Sequence, residues 1–126
     1  MLGSGALLLG ASSCQPSTTP AGLKLSLAQW SLHRTLQAGK LDHLDFPATA
    51  KGKFGVSAVE YVNTFFGGKS MPFKKAGKNA KYLNELLKRS RDEGVDNHLI
   101  MVDDEGSLAL PDDAKRLPAV KKKKKW

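Results

Sequence analysis

Cysteine, acidic residues and long apolar runs are all scarce in this chain of 126 residues. The single cysteine, Cys14, excludes an internal disulfide and a zinc site built from several cysteines. No stretch approaches the roughly 20 consecutive apolar residues that a membrane-spanning helix needs. Hydrophobic residues make up 40% of the chain and charged residues 25%, which is typical of one globular domain and argues against a disordered or fibrous protein.

The shortage of acidic residues leaves a net charge of +8, from 20 Lys and Arg against 12 Asp and Glu. Five positive charges form one run, Lys121–Lys125, so the rest of the chain carries only +8 − 5 = +3. Only Trp126 accompanies the run, whereas base-stacking surfaces need several aromatic residues. We therefore expect no nucleic-acid partner. Residues 121–126 are interpreted as a solvated helix end or, alternatively, as the contact of a small basic binding protein with an acidic partner.

Residues 1–20 have the pattern of an export leader. A short apolar stretch, Ala6–Leu9, stands among small residues and precedes a spacer rich in Pro, Ser and Thr. The segment Leu9–Cys14 resembles the cleavage box of bacterial lipoproteins, in which the cysteine carries the lipid, although Ala11 stands where leucine is usual. No basic residue precedes the apolar stretch. We predict an exported protein, periplasmic or anchored to a membrane through Cys14; the alternative is a flexible N-terminus on a cytoplasmic protein.

Strands and helices are predicted to alternate in the rest of the chain. Apolar–polar alternation and β-branched residues indicate strands, while apolar residues at spacings of three and four indicate helices. The predicted strands are Leu23–Trp30, Val56–Val62 and His98–Val102, and the predicted helices run over Leu41–Lys51, over Asn79–Glu93 and onward from Asp112. Pro47 suggests that the first helix is irregular or starts late, and Asn63–Lys78 is predicted to be a loop. Asn79 and Gly94 suit the two ends of the second helix.

The order β-α-β-α-β-α predicts parallel strand pairing, because helices connect successive strands. Nearly continuous apolar strands further predict a sheet that is covered on both faces. Two architectures fit this order: an open doubly wound sheet and part of a (β/α)8 barrel. No glycine-rich phosphate loop follows the first strand, where Gln29–His33 stands instead, so a dinucleotide-binding fold is disfavoured.

Three segments resemble the sugar phosphate isomerase/epimerase family of xylose isomerase-like TIM barrels. They are Leu25–His33, Phe54–Asn63 and Leu99–Gly106, and the resemblance covers roughly residues 21–120. It implies the N-terminal portion of a (β/α)8 barrel, about three βα units with parallel strands. It also implies metal-dependent isomerisation or epimerisation of a sugar or sugar phosphate. Related members of the superfamily cleave abasic DNA, so resemblance in fold does not decide the reaction.

Barrel enzymes carry their sites at the C-terminal ends of the strands, which indicates six candidate substrate-binding residues. They are Trp30 and His33 after the first strand, Glu60 and Asn63 at the second, and Asp103 and Glu105 after the third. An aromatic ring can stack on a sugar, polar groups can bind its hydroxyls, and isomerisation needs a base beside a polarised carbonyl.

Each candidate has a structural alternative, and the catalytic residues stay unknown. Trp30 could belong to the core, His33 to a loop or helix cap, Asn63 to a turn, and Asp103, Asp104 and Glu105 to a solvated acidic turn. Glu60 lies in an apolar strand, where a carboxylate seldom lacks a partner, and is the strongest candidate. His43 and His98 are interpreted as structural or exposed.

A complete barrel takes roughly 250 residues, so this chain is expected to be a fragment that is inactive by itself. The family's divalent-metal ligands lie on later strands. We therefore assign no metal ligands and expect no cofactor in this chain.

Overall fold

The computed structural model describes residues 22–126, which form a mixed α/β fold. The strands are β1 (Leu27–Ala28), β2 (Ala58–Val62) and β3 (Asp96–Met101). The α-helices are α1 (His33–Gln37), α2 (Phe46–Phe54), α3 (Phe73–Ala76), α4 (Ala80–Asp92) and α5 (Asp113–Lys123). Three short 3-10 helices follow β1, precede α2 and follow β2, over Gln29–Leu32, His43–Asp45 and Asn63–Phe65. The predicted export leader and its Cys14 lie outside the described residues.

The three strands form one small open sheet in the order β1-β2-β3, and both pairings are parallel. This confirms the predicted order and the parallel pairing. The first strand is much shorter than the predicted Leu23–Trp30: residues 23–26 are not in the sheet, and the chain turns into a 3-10 helix at Gln29. A register irregularity between Val59 and Glu60 offsets β2 against β3. Within residues 22–126 neither outer strand has a further partner, so both edges are open.

Helix boundaries follow local sequence signals closely. The Asn79 side chain accepts a hydrogen bond from the Tyr82 amide at 3.1 Å and caps α4, and Gly94 just beyond the helix has φ +62°. Helix α2 begins at Phe46 with Pro47 in its first turn, where a missing amide proton costs nothing. The late start suggested by Pro47 is thus confirmed.

Helix α5 begins where it was predicted, with the Asp112 side chain accepting from the Ala114 amide at 2.9 Å. The helix continues through Pro118 despite the roughly 3 kcal/mol that an internal proline costs. The Trp126 ring stacks on Phe73 with centroids 6.0 Å apart, which holds the end of this segment against α3.

The core lies on one face of the sheet, where α2 packs beside α4. Val59 and Tyr61 point to this face from β2, since alternate residues of a strand point the same way. They meet Phe46 of α2 and Leu86 of α4. Fully burying one such side chain contributes roughly 1.5–3 kcal/mol, so this face supplies most of the stabilisation.

The opposite face of the sheet is uncovered along β3, although Val62 of β2 is buried there. Leu99 and Met101 of β3 are in register with Glu60 and Val62 and are 47% and 42% exposed. The expectation of a sheet covered on both faces is therefore wrong for β3. The apolar composition of a strand shows that it avoids water but does not show which element covers it. No helix among residues 22–126 is long and apolar enough to cross a membrane.

Candidate functional site

Trp30 presents an aromatic surface at the C-terminal end of β1. The 3-10 helix Gln29–Leu32 leaves its ring 46% exposed, and the ring lies 5.8 Å from Phe65, which follows β2. The His33 ring stacks on the indole, with centroids 5.0 Å apart and planes within 15°. Trp30 is thus not a core residue in this structure. Its exposed ring forms a small platform with Phe65 at the edge of the sheet where the strands end.

His33 is held by the backbone of the residue against which it stacks. Its Nδ1 lies 2.7 Å from the Trp30 carbonyl oxygen. A carbonyl only accepts, so Nδ1 carries the proton of the neutral ring and leaves Nε2 as an acceptor. The ring is therefore oriented, with one nitrogen able to take a proton or a hydrogen bond from a ligand.

Asn63 joins the ends of β2 and β3. Its Nδ2 donates to the Asp103 carbonyl at 2.9 Å, and its Oδ1 accepts from the Asp103 amide at 2.8 Å. The side chain is fully buried. Two bonds to one backbone fix the loop after β3 against β2. The structure thus shows Asn63 as a residue that positions Asp103.

Gln29 is a buried polar residue that sequence reasoning missed as a member of this site. Its Oε1 accepts from the Val62 amide at 3.0 Å, which ties the end of β1 to the end of β2. Its Nε2 has no hydrogen-bond partner among the described residues. A buried amide nitrogen usually has one, so the nitrogen end of Gln29 is an exception within this tightly packed part of the structure. The sequence signal that could have identified Gln29 is its position as a polar residue directly after an apolar strand.

Glu60 lies on the uncovered face, two residues before the end of β2. Its carboxylate accepts a hydrogen bond from the Ser26 hydroxyl at 2.5 Å, and the side chain is half-buried. Within residues 22–126 no lysine, arginine or histidine forms an ion pair with it. Glu60 therefore combines partial burial with a single neutral partner, which suits a group that exchanges a proton or binds a hydroxyl.

Glu105 lies elsewhere, although it shares the predicted acidic turn with Asp103. Its buried carboxylate lies 3.4 Å from Trp126 Nε1, in a cleft that Lys74, Lys122 and Lys125 also line. The turn reverses at Asp104, whose φ is +58°. The three acidic residues thus have different surroundings: Asp103 is tied to Asn63, Asp104 is exposed, and Glu105 is buried beside Trp126.

A divalent metal does not fit the described residues. No group of three or more histidine, cysteine, aspartate or glutamate side chains that could hold a metal ion occurs within residues 22–126. A stable site for a hard divalent cation needs several oxygen ligands that converge. No reaction step through a metal is therefore derived for this part of the chain.

The structure brings four of the six predicted residues to the C-terminal edge of the sheet, as two linked pairs. Trp30 stacks on His33, and Asn63 holds Asp103; Gln29 and Phe65 connect the pairs. Glu60 lies on the uncovered face nearby, and Glu105 is in the cleft beside Trp126.

A scan of protein-family models gives no match to this chain, and a search of curated proteins gives none either.

Proposed function

We propose that residues 21–120 are the opening three βα units of a (β/α)8 barrel of the sugar phosphate isomerase/epimerase type. We further propose that the C-terminal edge of the sheet binds a sugar or sugar phosphate. Three parallel strands in consecutive order, with α2 and α4 on one face, support the first part. The uncovered apolar face with Leu99 and Met101 supports it too, because the corresponding face of a closed barrel is its packed interior.

The exposed Trp30 ring carries the sugar-binding part of the proposal. The C–H face of a sugar is apolar and stacks on an aromatic ring, while its hydroxyls need polar partners. At this edge the Trp30 ring is oriented by His33 and Phe65, and Nε2 of the His33 ring offers an acceptor. Glu60 can accept from a hydroxyl or take a proton from carbon next to a carbonyl.

We expect binding without turnover. Isomerisation needs a polarised carbonyl as well as a base, and a charged or metal group usually supplies that polarisation. Residues 22–126 hold three parallel strands and, among the residues described, no convergent metal-ligand group. Clear isomerase or epimerase turnover by the purified chain with a divalent metal would contradict the partial-barrel proposal.

Titration with a free ketose and with its phosphate ester tests the sugar site. Two-dimensional NMR should show saturable shifts of the Trp30 indole N–H and the Gln29 side-chain amide. Trp30→Ala should weaken binding at least roughly tenfold, as expected for losing one stacking surface. Phe54→Ala is the matched control, because Phe54 is also aromatic and is 49% exposed, on α2. A folded chain that binds neither sugar, or equal losses in the two variants, would overturn the proposal.

A second candidate function is the binding of an acidic partner, favoured by the cleft beside Trp126. Lys74, Lys78, Lys122 and Lys125 line this cleft, whose volume is about 160 Å³. None of the four forms an ion pair within residues 22–126. Unpaired ammonium groups around a fixed aromatic ring attract anionic side chains, although the buried Glu105 opposes them.

Binding of an acidic peptide tests this second function directly. Lys122→Gln with Lys125→Gln should weaken binding of a poly-glutamate peptide and reduce its salt dependence. Lys53→Gln with Lys81→Gln removes the same charge from exposed positions on α2 and α4 and is the control. Equal losses in the two double variants would indicate attraction by net charge alone and would contradict a specific cleft.

A further inference from the structure

Trp126 lies in a pocket with aromatic walls. Its ring stacks on Phe73, with centroids 6.0 Å apart and planes inclined by 16°, and meets Phe66 edge-on at 5.7 Å. Its Nε1–H donates to the carboxylate of the buried Glu105, with Nε1 and Oε1 3.4 Å apart. An indole needs apolar surface for its faces and an acceptor for its single donor, and this pocket supplies both.

A glycine makes room for this ring. A β-carbon at Gly77 would overlap the six-membered ring of Trp126, so the indole lies directly against the backbone there. Gly77 has φ −63°, which any residue can adopt, so its missing side chain serves the close approach of the ring and not the backbone conformation. The four residues around the ring are named the indole pocket: Phe66, Phe73, Gly77 and Glu105.

Helix α5 is attached to the rest of the chain at its last turns. Ala119 is buried against Gly106, where a β-carbon would come within 2.9 Å of it. The Lys123 ammonium group donates to the Val102 carbonyl at 2.6 Å. Together with the indole pocket, these contacts join the end of the helix to the loops that follow β2 and β3. Residues 119–126 are named the latch.

Local interactions stabilise α5 poorly, so its position depends on the latch contacts. Pro118 lacks the amide proton that a helix interior needs. The two ion pairs in its first turns are exposed, and exposed pairs contribute little. The run Lys121–Lys125 adds repulsion between like charges four residues apart. The contacts of Trp126 and its neighbours therefore decide whether the latch stays in place.

We propose that the indole pocket is a binding site for the latch, either the chain's own or that of a second copy of the chain. The Trp126 ring already held in the pocket identifies this occupant, and a second copy carries the same ring. The contact within one chain is favoured at low protein concentration, because the linkage gives the ring a high effective concentration at the pocket. Exchange of latches between two copies reproduces the same contacts in a dimer. The proposal rests on neither function proposed above.

The first test empties the pocket and refills it. In Trp126→Ala, indole and the hexapeptide KKKKKW should each cause saturable NMR shifts of the Gly77 amide, because a cavity left by an aromatic side chain can take up a ring of matching size. The peptide KKKKKA should bind at least roughly tenfold more weakly, since it lacks the stacking ring. Adding Gly77→Ala to this variant should abolish peptide binding. Adding Gly52→Ala is the matched control and should not, because a β-carbon at Gly52 of α2 meets open space.

The second test mixes two variants of the whole chain. Gly77→Ala blocks the pocket and frees the Trp126 ring, while Trp126→Ala leaves a pocket without its ring. Their equimolar mixture should form a heterodimer in analytical ultracentrifugation, whereas each variant alone should associate no more than the unchanged chain. Gly52→Ala in place of Gly77→Ala should give no heterodimer, because its ring stays in its own pocket.

A third measurement does not depend on the folding of Trp126→Ala. In Gly77→Ala alone, the Trp126 indole N–H resonance should move to the position of a solvent-exposed indole, and in Gly52→Ala it should stay where it is. Any of three results would overturn the proposal: no shift with indole or KKKKKW, no heterodimer in the mixture, or the same Trp126 resonance in Gly77→Ala and Gly52→Ala.

Discussion

The two faces of the sheet differ in how well their polar groups are hydrogen-bonded and their apolar side chains are covered. On the face beneath α2 and α4, Tyr61 donates to Asn97 Oδ1 at 2.8 Å, and Ser90 donates to the same oxygen at 2.9 Å. Burial raises the pKa of Tyr61 to about 12, so this hydroxyl stays protonated and remains a donor. On the other face, Leu99 and Met101 are half-exposed beside the Glu60 carboxylate. The face beneath the helices is a packed core, whereas the other face exposes apolar side chains and a carboxylate.

This difference indicates which residues stabilise the fold and which are available to bind another molecule. Fully buried groups cannot contact a ligand, but their removal is costly because the packed interior collapses only in part. Exposed groups contribute little to folding and are free to meet another molecule. The candidate sugar-binding groups lie along the open edge and face, and the residues that hold them there lie beneath the helices.

The largest expected effect is the loss of a fully buried ring from the covered face. Phe46→Ala should lower the free energy of unfolding by about 3–5 kcal/mol, since Phe46 packs edge-on against Tyr61 with ring centroids 6.1 Å apart. Urea denaturation monitored by circular dichroism measures this change in the free energy of unfolding. A cost below about 1 kcal/mol would show that this face is not the core of the protein in solution.

A smaller effect comes from acid, through His43 on the covered face. Its pKa is lowered from 6.5 to about 4, so the unfolded chain binds more protons than the folded chain between these values. Stability should therefore fall as the pH drops from about 6.5 to about 4, by about 3 kcal/mol at most. Burial lowers the pKa of His43 and Asp42 raises it, and the Tyr82 hydroxyl is hydrogen-bonded to its ring, so both residues influence the pH at which His43 titrates.

NMR titration of the His43 ring protons measures that pKa directly, alongside unfolding experiments across the same pH range. A measured pKa near or above 6.5 would contradict the burial of the His43 ring in its neutral form.

The smallest expected effect on stability belongs to the open face. Leu99→Ser and Met101→Ser should each change the free energy of unfolding by about 0.5 kcal/mol or less, because both side chains are already half-exposed. They should also reduce any self-association, since they remove exposed apolar surface from an unpaired edge strand. Losses as large as that of Phe46→Ala would show that this face is covered in solution.

Much of the fold could be predicted because its signals are local. The cap at Asn79, the stop at Gly94 and the late helix start at Pro47 each depend on residues that are neighbours in the chain. The site was predicted less completely. Trp30, His33 and Asp103 were predicted as candidates from their position after apolar strands, whereas the buried role of Gln29 and the separation of Glu105 depend on contacts between distant segments.

The sequence by itself determined the alternation of strands and helices and several helix ends, because periodicity and capping act over a few residues. The parallel pairing followed from the helices that connect successive strands. Only the tertiary structure decided which face of the sheet the helices cover, that Asn63 positions the Asp103 backbone, and that Gln29 and His43 are buried with hydrogen bonds to Val62 and Tyr82. These features arise where segments 33 to 40 residues apart come together, and residue spacing along a chain carries no information about which face meets which partner.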